Sequence, residues 1–386
     1  MLGLAACGSD ASPASTTFTT TVPTTAPTTE PTEPATPFPI ARFAAINEGP
    51  VPEEMAAKFQ TALEEMAGGG GIAATVMTPE GTWSGAAGTA DGVDVLQIDS
   101  QFNIGSVTKP IVAAQVMRLV EAGAVSLDAP ATDYLPADFT FDTNGATIRQ
   151  LLSHRSGIPD FYDDAWKERM AEERSRVWTV DEVLALVDPA RRPIGSFDYG
   201  DTNYIVLGLV IEHVRQQPLA DVLRDGVLRV EGTDRLIYRP DEAPTDPMAM
   251  PRGESRAAFE QGGGYLPAMS DASSDGPAGA MASDSISLAR WWRAFCAGEI
   301  VSEASLTEMA TFYDNAEFDF DIDYGLGLIN PADGYAQGVG HMGANFGYNS
   351  WSACLTEDPM IVVVLTNFDA DILNLGRPLV VAARSE

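Results

Sequence analysis

Residues 103–116 read NIGSVTKPIVAAQV and place Lys109, one of three lysines in 386 residues, three positions after Ser106. Pro110 marks a helix start, because proline is tolerated in the first turn, where its missing N–H has no intrahelical partner. On such a turn residues i and i+3 lie on one face, so the Ser106 hydroxyl and the Lys109 amine come within reach of each other. A serine hydroxyl needs a neighbouring base to become a nucleophile. The apolar surround IVAAQVM is expected to lower the lysine's pKa far enough for it to serve as that base. The competing reading is a helix-capping Ser106 beside a solvated Lys109, and a two-residue motif needs partners elsewhere to displace it.

Outward from this stretch, the chain reads as strands, a long helical insert, then strands. GIAATVMTP (71–79) and GTWSGAAGT (81–89) flank a Pro79-Glu80-Gly81 turn and predict a β-hairpin. Helical patterns follow at 111–122, 147–154, 180–187, 202–215 and 285–297. Three apolar runs, YGLGLI (324–329), FGYNSWSACL (346–355) and MIVVVLTNF (360–368), read as β-strands, and 371–383 as a last helix. This order predicts an α+β fold: an α/β lobe, in which N- and C-terminal strands share one antiparallel sheet flanked by helices, plus an all-α lobe inserted at about 125–310.

Two further motifs stand at matching positions. GSFDYGDTNYIVLGLVIE (195–212) contains Tyr199-Gly200-Asp201, and GHMGANFGYNSW (340–351) contains His341-Met342-Gly343. With Ser106-x-x-Lys109, and with TIRQLLSHRSGIP (147–159) and AGAMASDSISLARWW (278–292), the chain resembles the serine β-lactamase and penicillin-binding-protein superfamily, in its class C β-lactamase, D,D-carboxypeptidase and esterase branch. The resemblance implies a β-lactamase/transpeptidase-like fold over 45–386 and an acyl-enzyme hydrolase without cofactor or metal. Ser106 would be the nucleophile. Lys109 and Tyr199 would share the proton work, the tyrosine as phenolate or relay, with the identity of the base left open. The backbone N–H groups of Ser106 and Ala344 would form the oxyanion hole, and Asp201, His341 and Gly343 would contact substrate.

Two positions depart from the family pattern. Asp201 stands where asparagine is frequent, which removes the amide donors for a substrate carbonyl. Met342 stands where a threonine hydroxyl would meet a substrate carboxylate. Both fit an esterase or broad amidase better than a D,D-carboxypeptidase or β-lactamase acting on cell-wall peptides or β-lactams. The rival from another class is a cell-surface binding protein on the same fold that has lost activity.

A net charge of −32 excludes phosphate-backbone recognition, and no run of eighteen apolar residues suggests a membrane-spanning helix. Leu4-Ala5-Ala6-Cys7 resembles the lipobox of bacterial lipoproteins, with Cys7 as the lipidated residue, although the six residues ahead of it are shorter than a signal peptide. Residues 8–44 follow as a linker; eleven Thr and six Pro between 11 and 37 give no packable core. Residues 1–7 as a signal remnant, this tether and the domain at 45–386 together imply an extracytoplasmic, lipid-anchored protein whose membrane contact is the anchor alone. Cys296 and Cys354 read as two buried thiols rather than a pair, and His154 as a helix C-cap before Gly157. His213 reads as a surface residue. Tyr265, Phe346, Tyr348 and Trp351 are open between cleft lining and packing. Asp319, Asp321 and Asp323 lack the glycine and glutamate of a calcium loop, and Gly253-Glu254-Ser255-Arg256-Ala257 follows no apolar strand and is no nucleophile elbow.

Overall fold

The computed structural model describes residues 37–239, 241–244, 248–252, 269–313, 323–332 and 334–385. Cys7, residues 8–36 of the linker, the Gly253–Ala257 segment, Tyr265, Asp319 and Asp321 lie outside them.

The predicted hairpin forms from β1 (Ile72–Thr78) and β2 (Gly81–Ala87), paired Ile72 to Ala87. The short strands β3 (Phe102–Asn103), β4 (Ile237–Tyr238) and β5 (Met281–Ser283) make a separate three-stranded sheet in the order β3-β5-β4, which the reading of the sequence did not foresee. At the C-terminal end come β6 (Gly338–Asn345), β7 (Tyr348–Leu355) and β8 (Met360–Thr366). The main sheet runs β2-β1-β8-β7-β6, all pairs antiparallel, so β8 docks beside β1 and the two chain ends share one sheet. YGLGLI is no strand; only isolated bridges at Tyr324 and Ile329 occur there, and the edge strand is formed by residues 338–345 instead.

Both faces of this sheet are covered, which explains why MIVVVLT is apolar throughout rather than alternating. Ile72, Ala74, Val76, Val362 and Val364 face the helices Glu53–Met66 and Arg377–Arg384, through Phe59, Leu63, Leu379 and Val380. Ala73, Met77, Ile361, Val363 and Leu365 face the other side. The helix Ser285–Cys296 packs there against β1, β7 and β8 with Trp292 buried, so within the 125–310 stretch this helix belongs to the sheet. Cys296 at its end and Cys354 on β7 are joined by a disulfide across a Cα–Cα distance of 6.7 Å. The expectation of two thiols is thus corrected: the helix docks with its C-terminus over the C-terminal end of β7, which brings the two Cα atoms into bridging range.

In the helical region Thr202–Arg215 is buried over most of its circumference, with Tyr204, Val206, Leu207 and Ile211 in the core, as expected for a central helix. The helix Ile148–Leu152 opens on a Thr147–Gln150 capping box. The helix predicted from 111 begins at Thr108, preceded by a single tight turn over Gly105–Val107, so Lys109 and Pro110 fall in its first turn.

Candidate active site

The turn Gly105–Val107 presents Ser106 half-buried. Strand β6 passes directly beside it. A Cβ added to Gly343 would lie 2.1 Å from the Ile104 carbonyl oxygen and 3.0 Å from the Ser106 nitrogen, so only glycine permits this approach. Gly105, at φ +51, lies as close to Ala344: a Cβ there would be 3.2 Å from the Ala344 nitrogen. Ser350, opposite Gly343 on β7, donates its hydroxyl to the Ile104 carbonyl at 2.6 Å and ties the turn to the sheet. The backbone nitrogens of Ser106 and Ala344 are thereby brought to one place by close packing of turn against edge strand.

Lys109 is wholly buried and its Nζ lies against Ser106 Oγ at 3.0 Å, Asp201 Oδ1 at 2.5 Å and the Ala278 carbonyl at 3.0 Å. Carboxylate and carbonyl only accept, so at least two N–H groups are donated. Burial acts to lower the ammonium's pKa, but the Asp201 carboxylate, facing it at 2.5 Å, outweighs it and holds Lys109 above the ordinary lysine value. The expected neutral lysine base is therefore corrected. The apolar residues that suggested it are present, but the opposing charge comes from the next motif.

Asp201 is free to reach Lys109 because another residue caps its helix. Asp160 Oδ1 accepts from the Asp201 N–H at 2.9 Å and the Thr202 N–H at 3.3 Å, the work an N-cap side chain usually does. The Asp201 side chain is 16% exposed and spends Oδ1 on the lysine, a different engagement from the substrate contact expected of it. Tyr199 is hydrogen-bonded to both Ser106 and Lys109, and Lys109 Nζ stands 4.8 Å from its ring centroid. Burial raises the phenol, the Lys109 ammonium opposes this, Asp201 adds to it, and Tyr199 ends above the ordinary tyrosine value. The resting group is a neutral phenol rather than a phenolate.

Two histidines sit behind this tyrosine. His341 is buried: Nδ1 donates to the Met342 carbonyl at 2.6 Å and Nε2 accepts from the Tyr324 hydroxyl at 3.0 Å. Burial and then the Lys109 charge depress it to about 3, so the ring is neutral with both nitrogens engaged by protein. Its ring lies beside that of Tyr199, 6.5 Å between centroids. For His154 the sequence predicts only a cap. It does follow the C-cap Ser153 in the left-handed region at φ 55, but it is buried with its ring 4.2 Å from that of Tyr199. Its Nδ1 accepts from the Gly200 N–H at 3.2 Å and lies 3.3 Å from Asn203 Nδ2. Burial, Lys109 and His341 hold it well below the ordinary histidine value. The segment TIRQLLSHRSGIP stood out in the sequence, but nothing in its spacing points to Tyr199.

Tyr348 and Trp351 are core residues, their polar atoms donated to the Ala249 and Pro331 carbonyls. Phe346 sits half-buried in the β6–β7 turn, its ring 6.3 Å from Trp166. Met342 is half-buried against the Trp351 side of the sheet.

A pH dependence of stability follows from the buried carboxyls. Asp160 is pushed up to about 7 by burial and then by Asp201, and Asp271 to about 7 by burial, with Arg239 opposing. Both hold a proton in the folded state that an unfolded carboxyl, near 4, gives up. Their contribution is fully present below about pH 4 and is lost as pH rises through 7. The melting temperature is expected to fall between pH 5 and 8, and Asp160→Asn should flatten part of that fall; a melting temperature rising over this range would contradict it.

A sequence model of the family described as Beta-lactamase matches residues 55–379. The chain is 34% identical over 156 residues to a "Penicillin-binding protein 4" of Amycolatopsis lactamdurans, covering 38% of each. It is 24% identical over 273 residues to a "Putative penicillin-binding protein PbpX" of Bacillus subtilis, covering 69% of this chain and 62% of that one. Both matches span less than two thirds of the relative's length. Among solved structures, a D-stereospecific amidohydrolase from Streptomyces sp. superposes with a TM-score of 0.70 at 25% identity, covering 85% of this chain and 98% of the other.

Proposed function

Because the chain belongs to the Beta-lactamase family, we propose that it is a serine hydrolase of small esters or amides that works through an acyl-Ser106 intermediate. The observation that carries this reading is that Lys109 Nζ and the Tyr199 hydroxyl both meet the Ser106 hydroxyl, while the β6 backbone at Gly343-Ala344 packs against the backbone of the turn that carries it.

In the proposed cycle the reactive form is Tyr199 as phenolate, its phenol proton first released to solvent water; that phenolate takes the Ser106 proton while the serine oxygen attacks the substrate carbonyl. Lys109 stays an ammonium: it donates to Ser106 Oγ and stabilises the phenolate form of Tyr199, which forms against the burial that favours the phenol. Asp201 and the Ala278 carbonyl keep that ammonium charged and aimed. The Ser106 and Ala344 N–H groups receive the oxyanion. Tyr199 then protonates the leaving group, and water, deprotonated by the same phenolate, releases the acid. His154 and His341 hold the Tyr199 ring between neutral partners, so that Lys109 is the charge it feels most.

Esters and simple amides are favoured over peptides ending in a free carboxylate. Met342 offers no hydroxyl to such a carboxylate, and Asp201 is committed to Lys109. The likeness to an amidohydrolase supports including amides. The disulfide between Cys296 and Cys354 supports an oxidising, extracytoplasmic setting, with Cys7 as the lipid attachment; among the described residues no helix is long and apolar enough to cross a membrane.

The test incubates the purified chain with p-nitrophenyl butyrate, nitrocefin and a diacyl-D-Ala-D-Ala peptide, and follows product release and intact mass. Ester turnover with a butyryl adduct on Ser106 is the expected result. Fast peptide or nitrocefin turnover would replace the esterase reading with a D,D-peptidase or β-lactamase, and no adduct with any of the three would leave a binding protein on this fold.

A further inference from the structure

A cavity of about 270 Å³ lies in the helical region, and the acyl-transfer machinery leaves it unused. Its apolar wall includes the Trp178 ring, Ile205 and Leu209 of the helix Thr202–Arg215, and Pro277 at the kink of the helix Met269–Gly279, where Gly276 takes φ 42. Glu212, Asp241 and Tyr238 bring polar groups to it. None of Ser106, Lys109, Tyr199 or Asp201 lines this space, although Pro277 directly precedes Ala278, whose carbonyl receives Lys109. The volume falls just below the ~300–1,000 Å³ of pockets for drug-sized ligands, so it suits a molecule of about one ring.

The lining carries acid without base: no Lys, Arg or His is part of it. Glu212 accepts from the Leu219 N–H at 2.8 Å through Oε1, and among the described residues neither Glu212 nor Asp241 has an ion-pair partner. The charges they feel are acidic. Burial and then Asp241 raise Glu212 above the ordinary carboxyl value, and burial, Glu242 and Asp221 raise Asp241. Glu212 is half-buried and Asp241 exposed, so both keep the water contact that lets a carboxyl ionise. Tyr238 is 5% exposed, and its hydroxyl faces the same carboxylates: burial, Asp241 and Glu212 push the phenol well above its ordinary value. A Cβ on Gly276 would stand 3.4 Å from that hydroxyl, which has no hydrogen-bond partner among the described residues. A buried tyrosine hydroxyl usually finds a partner, and here the open space is the cavity. Neighbouring guanidinium groups are already engaged: Arg176, 3.8 Å from the Trp178 ring centroid, pairs with Glu173 and Glu182, and Arg224 with Glu242. An ammonium carries a positive charge and N–H donors for all three oxygen groups, and would relieve the repulsion between the carboxylates. The acids are not arranged as a metal-ligand group among the described residues.

We propose that this cavity is a binding site, separate from the catalytic cleft, for a small organic cation: an ammonium held by Glu212, Asp241 and the Tyr238 oxygen, on an apolar stem packed against Trp178, Leu209 and Pro277. Unmutated protein is titrated calorimetrically with phenethylammonium and with 2-phenylethanol, which keeps the ring and the length but carries no charge. The ammonium is expected to bind about 10-fold or more tightly than the alcohol, and Glu212→Gln/Asp241→Asn should erase that difference. Equal affinity for the two compounds, or no binding of the ammonium up to about 10 mM, overturns the site, and neither result depends on a variant that folds. A preference that survives the double variant also overturns it. Kinetics with p-nitrophenyl butyrate locate the bound cation: substrate and phenethylammonium should not compete. Competitive inhibition with a constant equal to the calorimetric Kd would put the cation in the catalytic cleft and overturn the separate site. Failure of the hydrolase reading looks different, as protein that turns over no ester while the calorimetric preference for the ammonium remains.

Discussion

Lys109→Met protein is expected to lose about 10³-fold in kcat/KM for an ester substrate, near the middle of the range for groups that assist proton transfer, and to be less stable by about 3 kcal/mol. The rate falls because the Tyr199 phenolate loses its counter-charge, so the pH at which activity rises should also move upward. The stability falls because Asp201 is left without the cation that faces it at 2.5 Å. Removing one partner of a buried pair costs more than removing both, and the partial exposure of Asp201 places the loss at the lower end. The double variant Lys109→Met/Asp201→Asn separates the two effects: stability should return to within about 1 kcal/mol of the starting protein while activity stays low. Chemical denaturation and steady-state kinetics on the three proteins check this. An unchanged rate in Lys109→Met would return the lysine to a purely structural role.

The second large effect is in chemistry alone. Ser106→Ala should lower turnover by about 10⁴- to 10⁶-fold, as loss of a nucleophile that acts as a unit with its base does. It should also abolish the acyl adduct in intact mass. Folding should be nearly untouched, because Ser106 is half-buried and Lys109 keeps Asp201, the Ala278 carbonyl and Tyr199 as partners. Stability within about 1 kcal/mol of the unmutated chain is the expected reading. Residual hydrolysis at even a tenth of the original rate would mean that some other group attacks the substrate.

Much of the architecture was legible because it rests on local pattern. The hairpin at 71–89, the helix 202–215 and the strands 346–355 and 360–368 follow from alternation, apolar runs and turn residues, and the structure places elements at all of them. YGLGLI misled because a run of glycine and leucine satisfies the same pattern; its residues pack against other elements and pair only at isolated points. The strand at 338–345 hid for the opposite reason. Gly338, Gly340 and Gly343 lower its strand propensity, yet these glycines let β7 and the Ser106 turn come close.

Sequence by itself determined the spacing of Ser106 and Lys109 and that the two chain ends share one sheet. Ser106 and Lys109 are three residues apart on a helical turn, and that relation survives any arrangement of the rest. Their protonation states were decided by tertiary structure alone. Lys109 looked like a neutral base because its sequence neighbours are apolar, but the carboxylate that keeps it charged lies 92 residues away. The histidine against Tyr199, the aspartate that caps the helix of Asp201 and the bond between Cys296 and Cys354 have the same origin. Each depends on where two distant segments touch, and a pKa or a disulfide responds to distance in space, which spacing along the chain does not encode.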